Sequence, residues 1–272
     1  DRVRADVDEQ AMTAPDEAVD DLIGRGHRLF IDVGPHPITK HSVETNLRHA
    51  GVTGQVLSSL RRDEDERTTL LDSLGALASL GLPVRWTELY PDAGAAAPQH
   101  AVGSTTPFLL PLSAKSAEAL SAQARSFGEL LSGDTSPHLR DVVYTAAVRR
   151  DHHRHRLAVI GSSPAELSVA LQKLGEGESP EGTARGEVAI AGRPRVVFVM
   201  SGQGSQWVGM GRGLLRSEPV FRDTLEAIET ILQRHVITQQ AGAVIGQPGH
   251  LVFAFDVRLL RNRLVAPHLP VW

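Results

Sequence analysis

The sequence has no cysteine among its 272 residues, and only 4% of its residues are aromatic. Without a thiol, the chain has no disulfide, no cysteine nucleophile and no cysteine-ligated zinc. The formal net charge of -4 gives no sign of the basic face that nucleic-acid binders need. Its apolar runs are far shorter than the roughly 20 residues of a membrane span, and no apolar secretory signal opens the sequence. We therefore expect a globular, cytoplasmic protein without nucleic-acid or membrane partners.

Apolar periodicity divides the chain into three blocks in which strand-like and helix-like patterns alternate. In residues 13–91, strands are predicted at 29–33 and 55–60, with helices around them. Residues 107–175 contain two strand-like runs and three helical patterns, one of them starting at a capping box, Ser163-Pro-Ala-Glu166. Residues 195–234 begin with Arg195-Val-Val-Phe-Val-Met200, which is typical of a buried parallel strand, and continue as a helix. This alternation predicts the α/β fold class.

The remaining segments show no regular pattern. Residues 92–106 and 176–194 are rich in small or polar residues, and we predict that both are linkers. Residues 235–272 contain apolar residues without helix caps or a consistent period, so no architecture is assigned to them.

A glycine-rich turn, Gly202-Gln-Gly-Ser-Gln206, connects the strand of the third block to its helix. Such a turn directs backbone N–H groups toward one point beside a helix N-terminus, where negative charge is stabilised. This arrangement fits a phosphate site or an oxyanion hole, and a plain tight turn explains it equally well. The turn is neither a Walker A loop, because no lysine follows, nor a G-x-G-x-x-G fingerprint.

Two histidine motifs are weaker candidates. Asp151-His-His-Arg-His155 places three imidazoles near a strand edge, but no carboxylate or cysteine cluster supports them, so a solvated edge is favoured and no metal site is assigned. His36 follows a strand within Gly34-Pro-His-Pro37, where ligands bind in many α/β folds, although a rigid turn is the simpler interpretation. No Gly-x-Ser-x-Gly nucleophile elbow occurs in the sequence.

Several motifs together resemble modular type I polyketide synthases. Val197-Phe-Val-Met-Ser-Gly-Gln-Gly-Ser-Gln-Trp-Val-Gly-Met-Gly211 and Ser217-Glu-Pro-Val-Phe-Arg222 resemble the opening of their acyltransferase domain, with Ser201 where the family usually has proline. Three segments of the second block resemble the α/β linker between ketosynthase and acyltransferase: 111–120, 141–148 and 155–161. Four segments of the first block resemble the late strand and the exit of an acyltransferase domain: 26–37, 59–64, 81–86 and 89–91.

The resemblance implies an unusual order of segments. The end of an acyltransferase domain precedes a linker module and the start of such a domain, with no ketosynthase between them. The family's nucleophilic Gly-His-Ser-x-Gly and later catalytic histidine belong to the middle of the domain, and neither has a counterpart here. From about Ile237 the sequence no longer resembles the family. We expect a small α/β linker module joined to incomplete acyltransferase pieces, that is, a truncated or rearranged synthase fragment or a pseudogene product.

The family's reaction transfers a malonyl or methylmalonyl group from coenzyme A, through a serine aided by a histidine base, to the phosphopantetheine thiol of an acyl carrier protein. The resemblance implies that the backbone N–H of Gln203 contributes to the oxyanion hole. It assigns Gly202, Gly204, Ser205, Gln206 and, weakly, His36 to substrate binding. It also implies an acyl-CoA substrate without a bound cofactor, and carrier-protein and ketosynthase partners.

Three interpretations of function remain open. The chain is an acyltransferase region of a synthase, inactive alone for lack of the serine, or it is a non-catalytic scaffold or docking fragment. A phosphate- or nucleotide-binding protein is a weaker alternative that rests on the glycine-rich turn. We further hypothesise that the first block docks on the linker module and the third block, and so rebuilds part of an acyltransferase surface.

Overall fold

The computed structural model describes residues 15–91, 106–133, 137–189, 194–201 and 205–239. Within these ranges it contains nine α-helices and six strands. In chain order they are α1 Pro15–Gly24, β1 Leu29–Val33, α2 Lys40–His49, β2 Gln55–Ser58, α3 Glu66–Ser79, α4 Trp86–Leu89, β3 Phe108–Ala114, α5 Ala117–Ser132, α6 Leu139–Val148, β4 His155–Gly161, α7 Pro164–Gly175, β5 Thr183–Glu187, β6 Val196–Met200, α8 Arg212–Ser217 and α9 Pro219–Gln239. None of the helices in these ranges is long and apolar enough to span a membrane.

One sheet is parallel and combines strands from the first and the third block. Its order is β2-β1-β6, with Leu29 opposite both Gln55 of β2 and Val196 of β6. Helices α1 and α2 cover one face, on which Phe30 packs with Val43. The opposite face carries Leu29, Ile31 and Leu57 and is packed against Ala76 of α3. The third block therefore adds a strand to the sheet of the first block, as the hypothesis that the first block docks on the third requires.

The second sheet is antiparallel, in the order β3-β4-β5. Helices α5, α6 and α7 cover one face and form the largest apolar core, which includes Leu110, Val143, Val159, Leu167 and Leu171. Two serine caps start the longer helices: Ser116 accepts a hydrogen bond from Ala119 N, and Ser163 accepts one from Glu166 N. The Ser163 cap read from the sequence is thus observed at α7, and Glu166 accepts from Ser162 N, one residue before the cap.

Helix α3 lies between the two sheets. Its Ser73 hydroxyl donates to the Ser58 carbonyl of the parallel sheet, whereas Leu71 packs against Leu109 and Ala158 of the antiparallel sheet. Of the leucines in α3 only Leu71 is fully buried, and Leu74 and Leu77 are partly buried. A helix packed on two sides also buries its small residues: Gly75, Ala76, Ala78 and Ser79.

The segment 176–194, which we expected to be a linker, contains strand β5. The strand completes the antiparallel sheet at its edge, and its polar residues Arg185 and Glu187 leave it without an apolar alternation. Gly186 is required there, because a Cβ at this position would lie 2.6 Å from the Ser79 carbonyl oxygen of α3. A short, charged edge strand has no hydrophobic pattern to detect. Most of the predicted linker 92–106 and most of the tail 235–272 lie outside the described residues.

Tyr90 connects the first block to the second. Its buried hydroxyl donates to the Leu109 carbonyl oxygen at 2.9 Å and accepts from the Leu109 amide at 2.8 Å. Burial raises the pKa of Tyr90, so the hydroxyl keeps the proton that it donates. In the β3–β4 pairing the backbone N–H and C=O of Leu109 point away from β4. Tyr90 therefore supplies the hydrogen-bond partners for these two groups at the edge of β3.

Tyr90→Phe removes both hydrogen bonds and leaves a buried N–H and a buried carbonyl unpaired. We expect the free energy of unfolding to fall by about 2 to 4 kcal/mol, measured by urea denaturation. The matched control is Tyr144→Phe, in which the half-buried ring against Arg149 is kept, and we expect a change within about 0.5 kcal/mol. Equal effects of the two substitutions would contradict the role given to Tyr90.

Candidate functional site

The candidate site lies at the carboxyl edge of the parallel sheet. Because β1, β2 and β6 run in the same direction, the residues that follow them meet at one edge. Gly34-Pro-His-Pro37 follows β1, Ser59 follows β2, and Ser201 follows β6. The structure thus brings the Gly-Pro-His-Pro motif of the first block next to the entry into the glycine-rich turn of the third.

Two side chains hold the Gly34–Pro37 turn in place. Asp32 is only 1% exposed, and its Oδ2 accepts hydrogen bonds from the backbone N–H and the hydroxyl of Thr39, at 2.9 and 2.6 Å. The Ser59 hydroxyl accepts from Gly34 N and donates to Gly34 O, both at 3.0 Å. The turn is therefore anchored at both ends by hydrogen bonds that a buried environment strengthens.

Residues of the third block contact this turn. A Cβ at Gly34 would collide with the Ser201 hydroxyl, so a larger residue there requires this hydroxyl to move away. The Ser201 hydroxyl is 3.1 Å from that of Ser205, which is 2% exposed. Trp207 donates its indole N–H to the Pro35 carbonyl oxygen at 3.0 Å. These contacts fix the positions of the two turns relative to each other.

A buried carboxylate fixes the helix that follows the glycine-rich turn. Glu66, the first residue of α3, accepts from Gly211 N at 2.6 Å and from Leu214 N at 2.9 Å, at the start of α8. A carboxylate is stabilised there by the unpaired N–H groups and the dipole of the helix. Gly213 leaves room for it, because a Cβ at Gly213 would lie 2.8 Å from Glu66 Oε2. An ion pair between Arg67 and Glu218 adds a second contact between the same elements.

The structure describes three of the six predicted site residues. His36 is exposed in its turn, and its Nδ1 accepts a hydrogen bond from Arg62 N at 3.2 Å. Ser205 is buried beside Ser201, and Gln206 is half-buried. Gly202, Gln203 and Gly204 lie outside the described residues, so their roles stay predictions.

Two of the three imidazoles in the Asp151–His155 motif have separate partners. His152 stacks on Trp86, with ring centroids 5.6 Å apart, and its Nε2 lies 3.0 Å from the Ala147 carbonyl oxygen. His155 faces Glu187 of β5 at 3.8 Å. Within the part of the chain that the structure describes, no group of three or more potential ligands could hold a metal ion.

Sequence reasoning missed four residues that shape this edge: Asp32, Ser59, Glu66 and Trp207. One of them left a signal, since an aspartate inside the otherwise apolar run Leu29-Phe-Ile-Asp-Val33 is costly to bury without hydrogen bonds. The partners of the other three lie in distant segments, so no local pattern reveals them.

Two segments match known family models. Residues 108–171 match the model described as CurL-like, PKS C-terminal, and residues 197–248 match the model described as acyl transferase domain. The second match extends past Ile237, where we expected the resemblance to end. Neither of these two models covers residues 13–91, so the assignment of that block to the end of an acyltransferase domain stays a prediction.

Known proteins support the same relationship. Spectinabilin polyketide synthase system protein NorA' of Streptomyces orinoci is 42% identical over 125 residues, which are 46% of this chain and 3% of that protein. Polyketide synthase GfsE of Streptomyces halstedii is 38% identical over 143 residues, 51% of this chain and 4% of that protein. The chain thus spans a few percent of the length of these curated relatives.

A solved structure, the acyltransferase domain from module 8 of the salinomycin polyketide synthase, is 34% identical, covers 46% of this chain and 29% of that one, and has a TM-score of 0.40. A TM-score this low carries no argument about the fold. The matched segments are similar to polyketide synthases, as the resemblance implied. More narrowly, the similarity to acyltransferase domains lies in residues 197–248.

Gly34→Ala places a methyl group against the Ser201 hydroxyl, which cannot move away without losing its hydrogen bond to the Ser205 hydroxyl. We expect the free energy of unfolding to fall by about 1 to 3 kcal/mol, and most of this loss to be recovered in the double variant Gly34→Ala/Ser201→Ala. The control is Gly24→Ala, where a Cβ meets no atom within 4 Å. Additive effects of the Gly34 and Ser201 substitutions would show that the two turns do not touch.

Glu66→Gln replaces one carboxylate oxygen by an NH₂ group that faces a backbone N–H of α8. We expect a loss of about 2 kcal/mol in unfolding free energy, together with faster amide exchange at Gly211 and Leu214. The control is Glu129→Gln on the exposed surface of α5, for which we expect a change within about 0.5 kcal/mol. Unchanged exchange at Gly211 and Leu214 would refute the contact.

Proposed function

We propose that the chain is part of an acyltransferase region of a polyketide synthase. We further propose that the isolated chain binds acyl-CoA at the carboxyl edge of the parallel sheet but does not transfer the acyl group. The observation that carries the proposal is the in-register pairing of β1 with β6. This pairing sets Gly34-Pro-His-Pro37 beside Ser201, at the entry into the glycine-rich turn, although 166 residues lie between Gly34 and Ser201 in the sequence.

The proposed chemistry is that of the related acyltransferase domains. A serine attacks the acyl thioester of coenzyme A, an acyl-enzyme forms as the coenzyme A thiol leaves, and the acyl group then passes to the phosphopantetheine thiol of a carrier protein. In this chain the backbone N–H of Gln203 would stabilise the negative oxygen of the tetrahedral intermediates. Gly202, Gly204, Ser205, Gln206 and His36 would line the acyl-binding edge. The carrier protein and a neighbouring ketosynthase are the proposed partners.

Among the described residues, this edge offers no serine paired with a base for the first covalent step. The Gly-His-Ser-x-Gly motif that carries the family's nucleophile does not occur in the sequence. Among the described residues, the hydroxyls at this edge already have partners: Ser59 bonds Gly34, and Ser201 bonds Ser205. His36 uses its Nδ1 to accept from Arg62 N and contacts none of these hydroxyls within hydrogen-bond distance. A nucleophilic serine needs an adjacent base, and the described residues do not provide that pair.

The proposal predicts binding without acylation. Malonyl-CoA or methylmalonyl-CoA should change the fluorescence of Trp207, whose indole N–H bonds Pro35 at this edge. The response should persist in Trp86→Phe, because Trp86 lies against His152 of the linker module, and it should disappear in Trp207→Phe. Intact-mass spectrometry of the same samples should show no added malonyl or methylmalonyl group.

Two results would overturn the proposal in different ways. No fluorescence response at millimolar acyl-CoA would remove the binding site. A stable adduct on one serine would show that the chain completes an active site by itself. An equal response to ATP would favour the phosphate- or nucleotide-binding alternative instead.

A further inference from the structure

The antiparallel sheet has a cavity at its outer edge. The cavity measures about 240 Å³ and lies where strand β3 meets helices α5 and α6. Its polar lining comes from β3, from α5 and from the segment between α6 and β4: Pro111, Ser113, Gln123, Arg150, Asp151 and His153. The cavity is separate from the candidate site, which belongs to the parallel sheet.

Strand β3 presents backbone groups to this cavity. The N–H and C=O of Leu109 point away from β4, where Tyr90 binds both. Because this direction alternates along a strand, the C=O of Pro111 and the N–H of Ser113 point to the same outer edge. Among the described residues neither group has a hydrogen-bond partner, so both are available to a ligand.

Two neighbouring contacts restrict the open edge to a short stretch. Tyr90 closes the edge at Leu109. At the other end the Ser113 hydroxyl accepts from His153 N at 2.9 Å and donates to the Asp151 carbonyl oxygen at 3.2 Å. The cavity volume is also below the roughly 300–1,000 Å³ of pockets for drug-sized ligands. The edge therefore suits a small molecule with a single amide group better than a whole added strand.

The side chains around these backbone groups add an acceptor and a positive charge. The Gln123 side-chain oxygen is buried without a hydrogen-bond partner among the described residues, which is costly unless a donor reaches it. The Arg150 guanidinium lies over the Phe127 ring, with 5.6 Å between its Cζ and the ring centroid, and a guanidinium binds carboxylates in a bidentate manner. Arg150 and Asp151 are both exposed, so solvent screens their charges and the expected affinity is modest.

We propose that this cavity binds a small molecule that carries an amide next to a carboxylate, as dipeptides and N-acyl amino acids do. The amide oxygen accepts from Ser113 N, the amide N–H donates to the Gln123 side-chain oxygen, and the carboxylate pairs with Arg150. In a dipeptide the ammonium group also donates to the Pro111 carbonyl oxygen. This inference does not depend on acyl-CoA binding.

Nuclear magnetic resonance titration of the full-length chain tests the ligand class. N-acetyl-L-alanine should shift the amide signal of Ser113 with a Kd of about 1 mM and leave those of Phe30 and Ile31 in β1 unchanged. N-acetyl-L-alaninamide, which lacks the carboxylate, and acetate, which lacks the amide, should each bind about tenfold more weakly. Tighter binding of L-alanyl-L-alanine than of N-acetyl-L-alanine would identify dipeptides as the source, and weaker binding would identify N-acyl amino acids.

Variants test the two side chains. Arg150→Gln should weaken N-acetyl-L-alanine about tenfold and leave N-acetyl-L-alaninamide unchanged. The matched control is Arg149→Gln, because Arg149 lies over the Tyr144 ring and does not line the cavity, and it should change neither affinity. Gln123→Leu should weaken both ligands without lowering the free energy of unfolding, since it removes an unpaired buried acceptor. A purely structural role of Gln123 would lower that free energy instead.

Three results would overturn the proposal. The first is an unchanged Ser113 amide signal at a large excess of N-acetyl-L-alanine over the expected Kd. The second is equal binding of acetate and N-acetyl-L-alanine, because the amide would then contribute nothing. The third is an equal loss of affinity in Arg149→Gln and Arg150→Gln, which would place the carboxylate outside the cavity.

Discussion

The backbone pairing between β1 and β6 is the interaction on which the rest of this structure depends. β1 is the central strand of its sheet and is buried on both faces, so its peptide groups need hydrogen-bond partners on both sides. β2 of the first block pairs with one side of β1, and β6 of the third block pairs with the other. The contacts of Gly34 with Ser201, Pro35 with Trp207 and Glu66 with α8 all follow once this pairing is made.

Helix α3 connects the parallel sheet to the linker module by packing against both sheets. Its small residues allow a close approach to both sheets: a Cβ at Gly75 would meet Ala158 and Leu109 at 3.0 Å, and Ala76 packs beneath Leu29 and Ile31. At its N-terminus the same helix presents Glu66 to α8. A single helix thus joins the antiparallel sheet, the parallel sheet and the candidate site, so a change in its position would affect all three.

Local patterns in the sequence were sufficient for most individual elements. The strand at 29–33 and the capped helix α7 lie where apolar periodicity and capping residues predicted them. The edge strand β5 escaped prediction because it is short, charged and interrupted by Gly186, and the small residues that α3 buries between the two sheets form no single apolar face in the sequence. Pattern reasoning treats one segment at a time, whereas these features depend on neighbours.

The sequence predicted the two turns of the candidate site, but it did not predict the side chains that hold them in place. Gly34-Pro-His-Pro37 and Gly202–Gln206 stood out as strand exits, and the resemblance linked both to one domain. The two turns lie at the same edge because β1 pairs with β6, although the two strands are far apart in the sequence. The order of the blocks suggested this docking only as a hypothesis. Glu66 resembles any first-turn acidic residue in the sequence, and only the fold shows that its partners belong to another helix.

The separation of β1 from β6 also has a consequence during synthesis on the ribosome. Between Val33 and Val196 lie 162 residues, so at about 5 to 20 residues per second the nascent chain exposes the edge of β1 for roughly 8 to 32 seconds before its partner is made. The antiparallel sheet of the second block is complete before then, because its strands are close in sequence. The parallel sheet therefore closes last, and until it does, the nascent chain carries an unpaired apolar strand that chaperones can recognise.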